Sequence, residues 1–377
     1  MSGKYVSDSY QITPGKRVLI AGGGGFIGSH LSKRLMEEDK YYTVVADWAD
    51  NIYFEVDSYC SEFHKFDLRD QFLSDLACED CEEVYDLAAD MGGMGFIESN
   101  HSLILQNSLR INLNLLASSV KHGVKLFFFS SSACVYPDFK QHGIDGDGGE
   151  VFTPNLKEED AWPADVRSNA YGFVKLVAEE ACKWAAHDNP TMAVRIARFH
   201  NIFGPMGTWK GGREKAPAAF CRKVLCNDEV FPMWGDGLQT RSFLIVDECV
   251  EGVIRLCRSD CPEPTNIGSD CLISMNDMAA MIMEFEGKEL KVEHIPGPQG
   301  VRGRNSDNTN IKEWLGWAPT PGRDALRDGL KRTYDWIKSK YEAEKAEGID
   351  NTKEYSGSVI FQGKVEDDGE TVRAGKV

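Results

Sequence analysis

A doubly wound parallel α/β sheet with a smaller C-terminal lobe is the fold that this sequence predicts, on three observations. A short apolar run, Arg17 to Ala21, leads through a glycine turn and an amphipathic stretch into a second apolar run, YTVVAD, all within about 35 residues. Further apolar runs recur at Val84 to Ala88, Leu126 to Ser130 and Ala193 to Phe199, separated by helical stretches. Beyond Phe199 the alternation loosens into loops rich in Gly, Pro and Lys, GPMGTWKGGREKAP and WGDGLQTRSF. Alternating strands and helices build a parallel sheet, and the loop-rich remainder reads as a lobe that caps a substrate.

Taken in order, residues 15–200 read as a dinucleotide-binding unit. Residues 201–340 read mainly as the substrate lobe, with helices such as Met275 to Phe285 and some segments returning to the first unit. Residues 341–377 are charged and poor in apolar side chains, which predicts a helix end and a mobile tail. The stretch Gln141 to Phe152 is rich in Gly and Asp. It only loosely echoes a calcium loop, lacking the closing glutamate, so it reads as a solvated surface loop.

A net charge of -17 argues against a chain that wraps nucleic acid or lies on an anionic membrane. No apolar run reaches the roughly 18 residues of a membrane span, and the N-terminus lacks a signal-peptide core, so a soluble, cytoplasmic protein is expected. Eleven scattered cysteines fit reduced core thiols rather than a disulfide framework. Cys78 and Cys81 have C-x-x-C spacing but no second pair, so no metal site is predicted and a loop is the expected setting.

Gly22, Gly25 and Gly28 in GGGGFIG follow a strand and open a helix, with Phe26 and Ile27 between the last two. Such a turn lets backbone approach a pyrophosphate whose charge meets the helix N-terminus, the signature of a Rossmann-type fold. Asp47 ends the second strand about 20 residues on, where a carboxylate holds both ribose hydroxyls and repels a 2′-phosphate. NAD is therefore the expected cofactor. Asp67 and Leu68 end the next strand and are placed against the adenine, although Asp47 and Asp67 also suit helix caps or turns.

Tyr171 and Lys175 lie four positions apart in a helical stretch and share one face. An ammonium there is expected to lower the phenol toward neutrality, so that the phenolate takes a proton from a sugar hydroxyl. Ser132 precedes Cys134 in SSACVYP. With the glycine turn, these residues and the late LGWAP motif followed by Leu326, Leu330, Tyr334 and Trp336, the chain resembles the extended short-chain dehydrogenase/reductase family from Arg17 to Trp336. The resemblance implies that Ser132, Tyr171 and Lys175 form a hydride-transfer triad, with Tyr171 and Lys175 also touching NAD. Dehydratases of that family usually carry Thr-Asp-Glu where this chain has Ser132, Ala133 and Cys134, so loss of water is disfavoured. A thiol there points instead to removal of a proton beside an oxidised carbon, although a buried small hydrophobe is the common fate of free cysteine.

The strings AADMGGMGF, RFHNIFGP, GTWKGGREKAPAAFCRK, WGDGLQTRSF and GVRGRNSDN narrow the resemblance to a branch that epimerises GDP-linked hexoses at two carbons. That likeness implies Cys134 and Lys215 as the acid and base pair. It implies substrate contacts at Gly92, Ser132, Cys134, Asn201, Glu214, Lys215, Ala216, Lys223, Gln239, Thr240, Arg241 and Arg304, with Ser358 as a further candidate. Lys223, Arg241 and Arg304 suit a pyrophosphate. A homodimer is implied as well. A 4-epimerase, a 4,6-dehydratase and a catalytically silent NAD sensor remain the alternatives.

Overall fold

The computed structural model of the protein describes residues 10–91, 97, 99–141, 144–145, 151–166, 169–297 and 300–352. Its main sheet has seven strands: β1 (Arg17–Ala21), β2 (Tyr42–Asp47), β3 (Glu62–Lys65), β4 (Glu83–Asp86), β5 (Leu126–Ser132), β6 (Ala193–Phe199) and β7 (Thr265–Ile267). They lie in the order β7-β6-β5-β4-β1-β2-β3, every pairing parallel. The winding reverses between β1 and β4, and a crevice opens at the carboxyl ends of strands at such a switch point.

Strand periodicity divides the core. Val18, Ile20 and Phe128 face one side, packed with α1 (Phe26–Glu37) and α6 (Val246–Arg258) through Leu31, Leu35, Val250 and Val253. Leu19, Ala21, Phe127 and Phe129 face the other, against α3 (His101–Lys121) and α4 (Ala170–Asp188) through Ile111, Leu115, Ala178 and Cys182. Side chains alternate across a strand, so each apolar run must be covered on both faces, as parallel sheets require. Cys78 ends the helix Gln71–Cys78 rather than lying in a loop, Cys81 lies in the loop after it, and both are buried in this second core, which pushes their thiols up to about 12 and about 11.

A third core forms the smaller lobe, where α5 (Ala216–Cys226), α7 (Met275–Glu286) and α9 (Arg323–Ala346) bury Phe220, Val224, Met278, Ile282, Leu330 and Tyr334. Its sheet joins Asn201–Phe203, Thr240–Ile245, Gly303–Ser306 and Asn155–Leu156. The expected tail begins differently. Helix α9 continues to Ala346, and Asn351 is buried because its carbonyl accepts from Arg222 Nη1 at 3.3 Å and Cys226 Sγ at 3.1 Å. Of the Gln141 to Phe152 stretch, Gln141 is buried rather than solvated, and most of the rest lies outside the described residues. No helix among the described residues is long and apolar enough to cross a membrane.

Two local devices aim the end of β5. The Asn169 carboxamide caps α4 by accepting from the N–H groups of Tyr171 and Gly172 at 3.0 and 3.2 Å, which puts Tyr171 in the first turn. At Gly172 the helix backbone lies so close to the turn after β5 that a Cβ would fall 1.8 Å from the Cys134 carbonyl oxygen. Beneath them, buried Arg198 of β6 grips Glu179 of α4 through two hydrogen bonds of 2.9 and 2.7 Å, and Ser131 of β5 donates to the same carboxylate.

Gly172→Ala is therefore expected to cost about 1–3 kcal/mol of stability in a urea titration, by overpacking a backbone contact. Val177→Ala on the exposed side of the same helix serves as the control. A loss no larger than the control's would contradict the contact.

Candidate active site

The glycine turn shows why its residues fit a dinucleotide. Gly22 sits at φ +76°, and a Cβ there would meet the Ala88 backbone at 2.7 Å, so β1 can hand over to α1 only through glycine. Helix α1 starts at Gly25 with no side chain capping it, which leaves its first N–H donors for an anion. Gly22, Gly25, Phe26, Ile27 and Gly28 line a cleft of about 1230 Å³ of space open to solvent, whose far wall includes Ser132, Tyr171, Lys175 and Lys215.

Asp47 ends β2 beside that turn. Burial pushes its carboxyl up to about 6, against backbone N–H groups of Ala49, Gly24, Trp48 and Gly25 that favour the anion. Asp67 and Leu68 follow β3 on the same side of the sheet order as Asp47. The Arg69 guanidinium, two residues on, clasps the Asp67 carboxylate at 2.9 and 2.6 Å, and Leu68 is buried in the core facing α3.

At the other end, the Ser132 hydroxyl accepts the Cys134 N–H at 3.1 Å as β5 turns into a short helical loop. Lys175 Nζ donates to the Ser130 carbonyl at 2.6 Å and lies 5.9 Å from the Tyr171 ring centroid. The expectation of a lowered phenol is not met by these side chains. Burial pushes Tyr171 well up and Cys134 adds a negative neighbour, while Ser132 only partly offsets them. Burial pushes Lys175 down to about 8, against the opposing charge of Asp86.

Cys134 is half-buried and has the Arg304 guanidinium beside it. Burial raises its thiol, but the Arg304 charge and hydrogen bonds from Ser132, Arg304 and Asn169 outweigh that, leaving it below the ordinary value. Arg304 Nη1 donates to the sulfur at 3.6 Å. Besides the pyrophosphate role expected of it, Arg304 lies on the thiol, and Gln141 receives its Nε at 2.6 Å. Arg241 pairs in register with Arg304 on the neighbouring strand, and burial together with Arg304 pushes it down to about 9. Lys215 stands at the N-cap of α5, and burial lowers its ammonium while Cys134 partly restores it.

Of the remaining expected substrate positions, Lys223 and Gln239 share Trp234 as a neighbour. Lys223 Nζ donates to the Pro232 carbonyl at 2.8 Å and lies 5.8 Å from the Trp234 ring centroid. Gln239 donates to the Trp234 carbonyl at 3.3 Å, and its Oε1 has no partner among the described residues. Thr240 shares a hydrogen bond of 2.9 Å with Thr153, and Asn201 donates to the Ser242 carbonyl at 2.9 Å. Glu214 receives the Gly212 N–H at 2.5 Å and Arg222 at 3.4 Å, and Ala216 opens α5. Gly92 and Ser358 lie outside the described residues.

The expected site residues do not include Gln141 or His200. His200 lines the cleft and bonds Asn266 Oδ1 through Nε2 at 3.0 Å, and burial pushes it down to about 3. Its place between strand residues in RFHN was the only local signal.

The NAD dependent epimerase/dehydratase family matches residues 18–268. GDP-mannose 3,5-epimerase 1 of Oryza sativa subsp. indica is 53% identical over 91% of this chain and 87% of its own. GDP-mannose 3,5-epimerase of Arabidopsis thaliana is 51% identical over 94% of this chain and 90% of its own. Among solved structures, UDP-glucuronic acid 4-epimerase from Bacillus cereus in complex with UDP-glucuronic acid and NAD is 25% identical with a TM-score of 0.72, covering 86% of this chain and 100% of its own.

The Asp47 carboxyl sets a pH signature. Calorimetric titration of NAD onto cofactor-free protein is expected to show affinity that is level above neutrality and weakens as pH falls through about 6, where the ribose-binding anion is lost. Below that point the fall should approach about tenfold per pH unit. Asp47→Asn should lose this dependence; an equally steep fall in the variant would assign it elsewhere.

Proposed function

This chain belongs to the NAD dependent epimerase/dehydratase family, and we propose that it converts GDP-mannose to GDP-L-galactose by inverting carbons 5 and 3, with GDP-L-gulose formed when only carbon 5 is inverted. The observation that carries this reading is the Cys134 sulfur, bonded by Arg304 and under the charge of Lys215 and Arg241, two residues after Ser132, which lines the cleft with Tyr171, Lys175 and Lys215.

In this reading the α1 N-terminus and glycine turn hold the NAD pyrophosphate, Asp47 holds a ribose, and Tyr171 and Lys175 lie at the nicotinamide end. Bound NAD supplies the acceptor for the hydride of carbon 4 and gives it back at the end, so there is no net redox change. With the positive charge of oxidised nicotinamide beside it to offset burial, Tyr171 would take the proton of the carbon 4 hydroxyl, and Ser132 orients that hydroxyl. Once carbon 4 is a ketone, the hydrogens on carbons 3 and 5 become acidic because the resulting anion is an enolate.

Cys134, held below the ordinary thiol range, removes such a proton from one face. Lys215, held below the ordinary ammonium range, delivers one to the other face. Ala133 offers no acid to expel a hydroxyl, which supports epimerisation over dehydration. Lys223 and Gln239, near Trp234, serve the GDP end. A cytoplasmic homodimer belongs to the same reading and rests on the family likeness.

The test is incubation with GDP-mannose in deuterated water, with each sugar carbon read by NMR. Deuterium is expected at carbons 3 and 5 without accumulation of reduced cofactor, and Cys134→Ala should slow that exchange by roughly 10²–10⁴ while keeping NAD. No exchange by NAD-loaded wild type, or unimpaired exchange by the variant, would overturn the reading.

A further inference from the structure

We propose that Gln141 is a positioning residue of this reaction: its side-chain amide carries the Arg304 guanidinium onto the Cys134 sulfur and so keeps the thiolate formed. The inference rests on the reading of Cys134 as the proton-transfer base. Gln141 follows the short helical turn Asp138–Lys140, its own N–H bonded to the Asp138 carbonyl at 2.8 Å, and it is 1% exposed.

The amide's orientation follows from its partners. The Tyr136 carbonyl can only accept, so the NH₂ must face it, at 2.6 Å. The Arg304 guanidinium can only donate, so Oε1 must face that, at 2.6 Å. One rigid amide thus ties the turn that follows Cys134 to a strand 170 residues further along the chain. A guanidinium is planar, so fixing Nε fixes the fork, and Nη1 falls 3.6 Å from the sulfur. Without Gln141 the same cation would be free to turn toward a bound pyrophosphate and leave the thiol.

The thiol's charge state depends on everything that faces it. On its own turn that is Ser132. From α4 and its cap come Tyr171 and Asn169. From the paired strands come Arg241 and Arg304, and from the start of α5 comes Lys215. Arg304 donates a hydrogen bond to the sulfur, and Gln141 is what aims it. The lowered thiol at this position agrees with that geometry, since burial alone would raise it.

Alkylation by iodoacetamide tests the inference on the full-length, NAD-loaded protein without substrate, with the Cys134 peptide followed by mass spectrometry across a pH series. Wild-type Cys134 should titrate below the ordinary thiol value of about 8.5. Gln141→Ala should move the midpoint up by about one unit, so that alkylation near neutrality slows about tenfold. Gln141→Glu, of the same shape, should also move it up, because it sets a negative charge against the guanidinium; it decides the matter if the alanine variant does not fold with NAD. Arg304→Ala should shift the midpoint at least as far. If Arg304→Ala shifts it and neither Gln141 variant does, the positioning role is overturned and the base assignment stands. If wild type titrates at the ordinary value and Arg304→Ala changes nothing, the base assignment falls too.

Discussion

At Gly172 two stretches of backbone touch with no side chain between them, and the arrangement of the site depends on that contact. A Cβ would sit 1.8 Å from the Cys134 carbonyl oxygen, so α4 can lie against the turn after β5 only with glycine at this position. Tyr171 and Lys175 ride on the helix, while Ser132 and Cys134 ride on the strand end and turn. The contact makes them one rigid piece. Asn169 sets where the helix starts, and the buried Arg198 and Glu179 pair with Ser131 holds strand and helix from beneath. Breaking one partner of such a pair leaves a buried charge uncompensated, typically about 3–5 kcal/mol, so the support is stiff.

The electrostatics of the cleft run against those of the whole protein. A chain of net charge -17 places one thiol beside Arg304 and under the charge of Arg241 and Lys215. Burial drives each ionisable group toward its neutral form, raising Tyr171 and lowering Lys175, Lys215 and Arg241. Cys134 is the exception: the opposite charge and hydrogen bonds around it outweigh burial. This balance favours the thiolate at Cys134 and makes the Lys215 ammonium a stronger acid. Asp47 shows the same competition at the cofactor end, where backbone N–H groups only partly offset desolvation.

What could be read from the sequence was local. The alternation of Val18, Leu19, Ile20 and Ala21 between two cores is a period-two pattern, and the glycine turn is a contiguous string. What escaped depended on distance or on a neighbour. Arg304 meets Cys134 from 170 residues away, so its cationic character alone suggested a pyrophosphate. Gln141 was hidden by the Gly and Asp composition of the stretch it opens, although its amide faces inward. The clasp of Asp67 by Arg69, two residues on, was likewise not read from the sequence. The helix end expected after residue 341 falls at Ala346, but Asn351 beyond it is tied down by Arg222 and Cys226, partners no local pattern reveals.

The central claim is that oxidation at carbon 4 and proton exchange at its neighbours are separate tasks of separate residues, Tyr171 with Lys175 for the first and Cys134 with Lys215 for the second. A single-turnover measurement on NAD-loaded Cys134→Ala mixed with GDP-mannose separates them most directly, with the near-ultraviolet absorbance of reduced nicotinamide as the readout. The account predicts that reduced cofactor still appears on mixing while the sugar gains no deuterium from the solvent. Deuterium uptake at carbon 3 or 5 by that variant would contradict it, and so would loss of the absorbance change with NAD still bound.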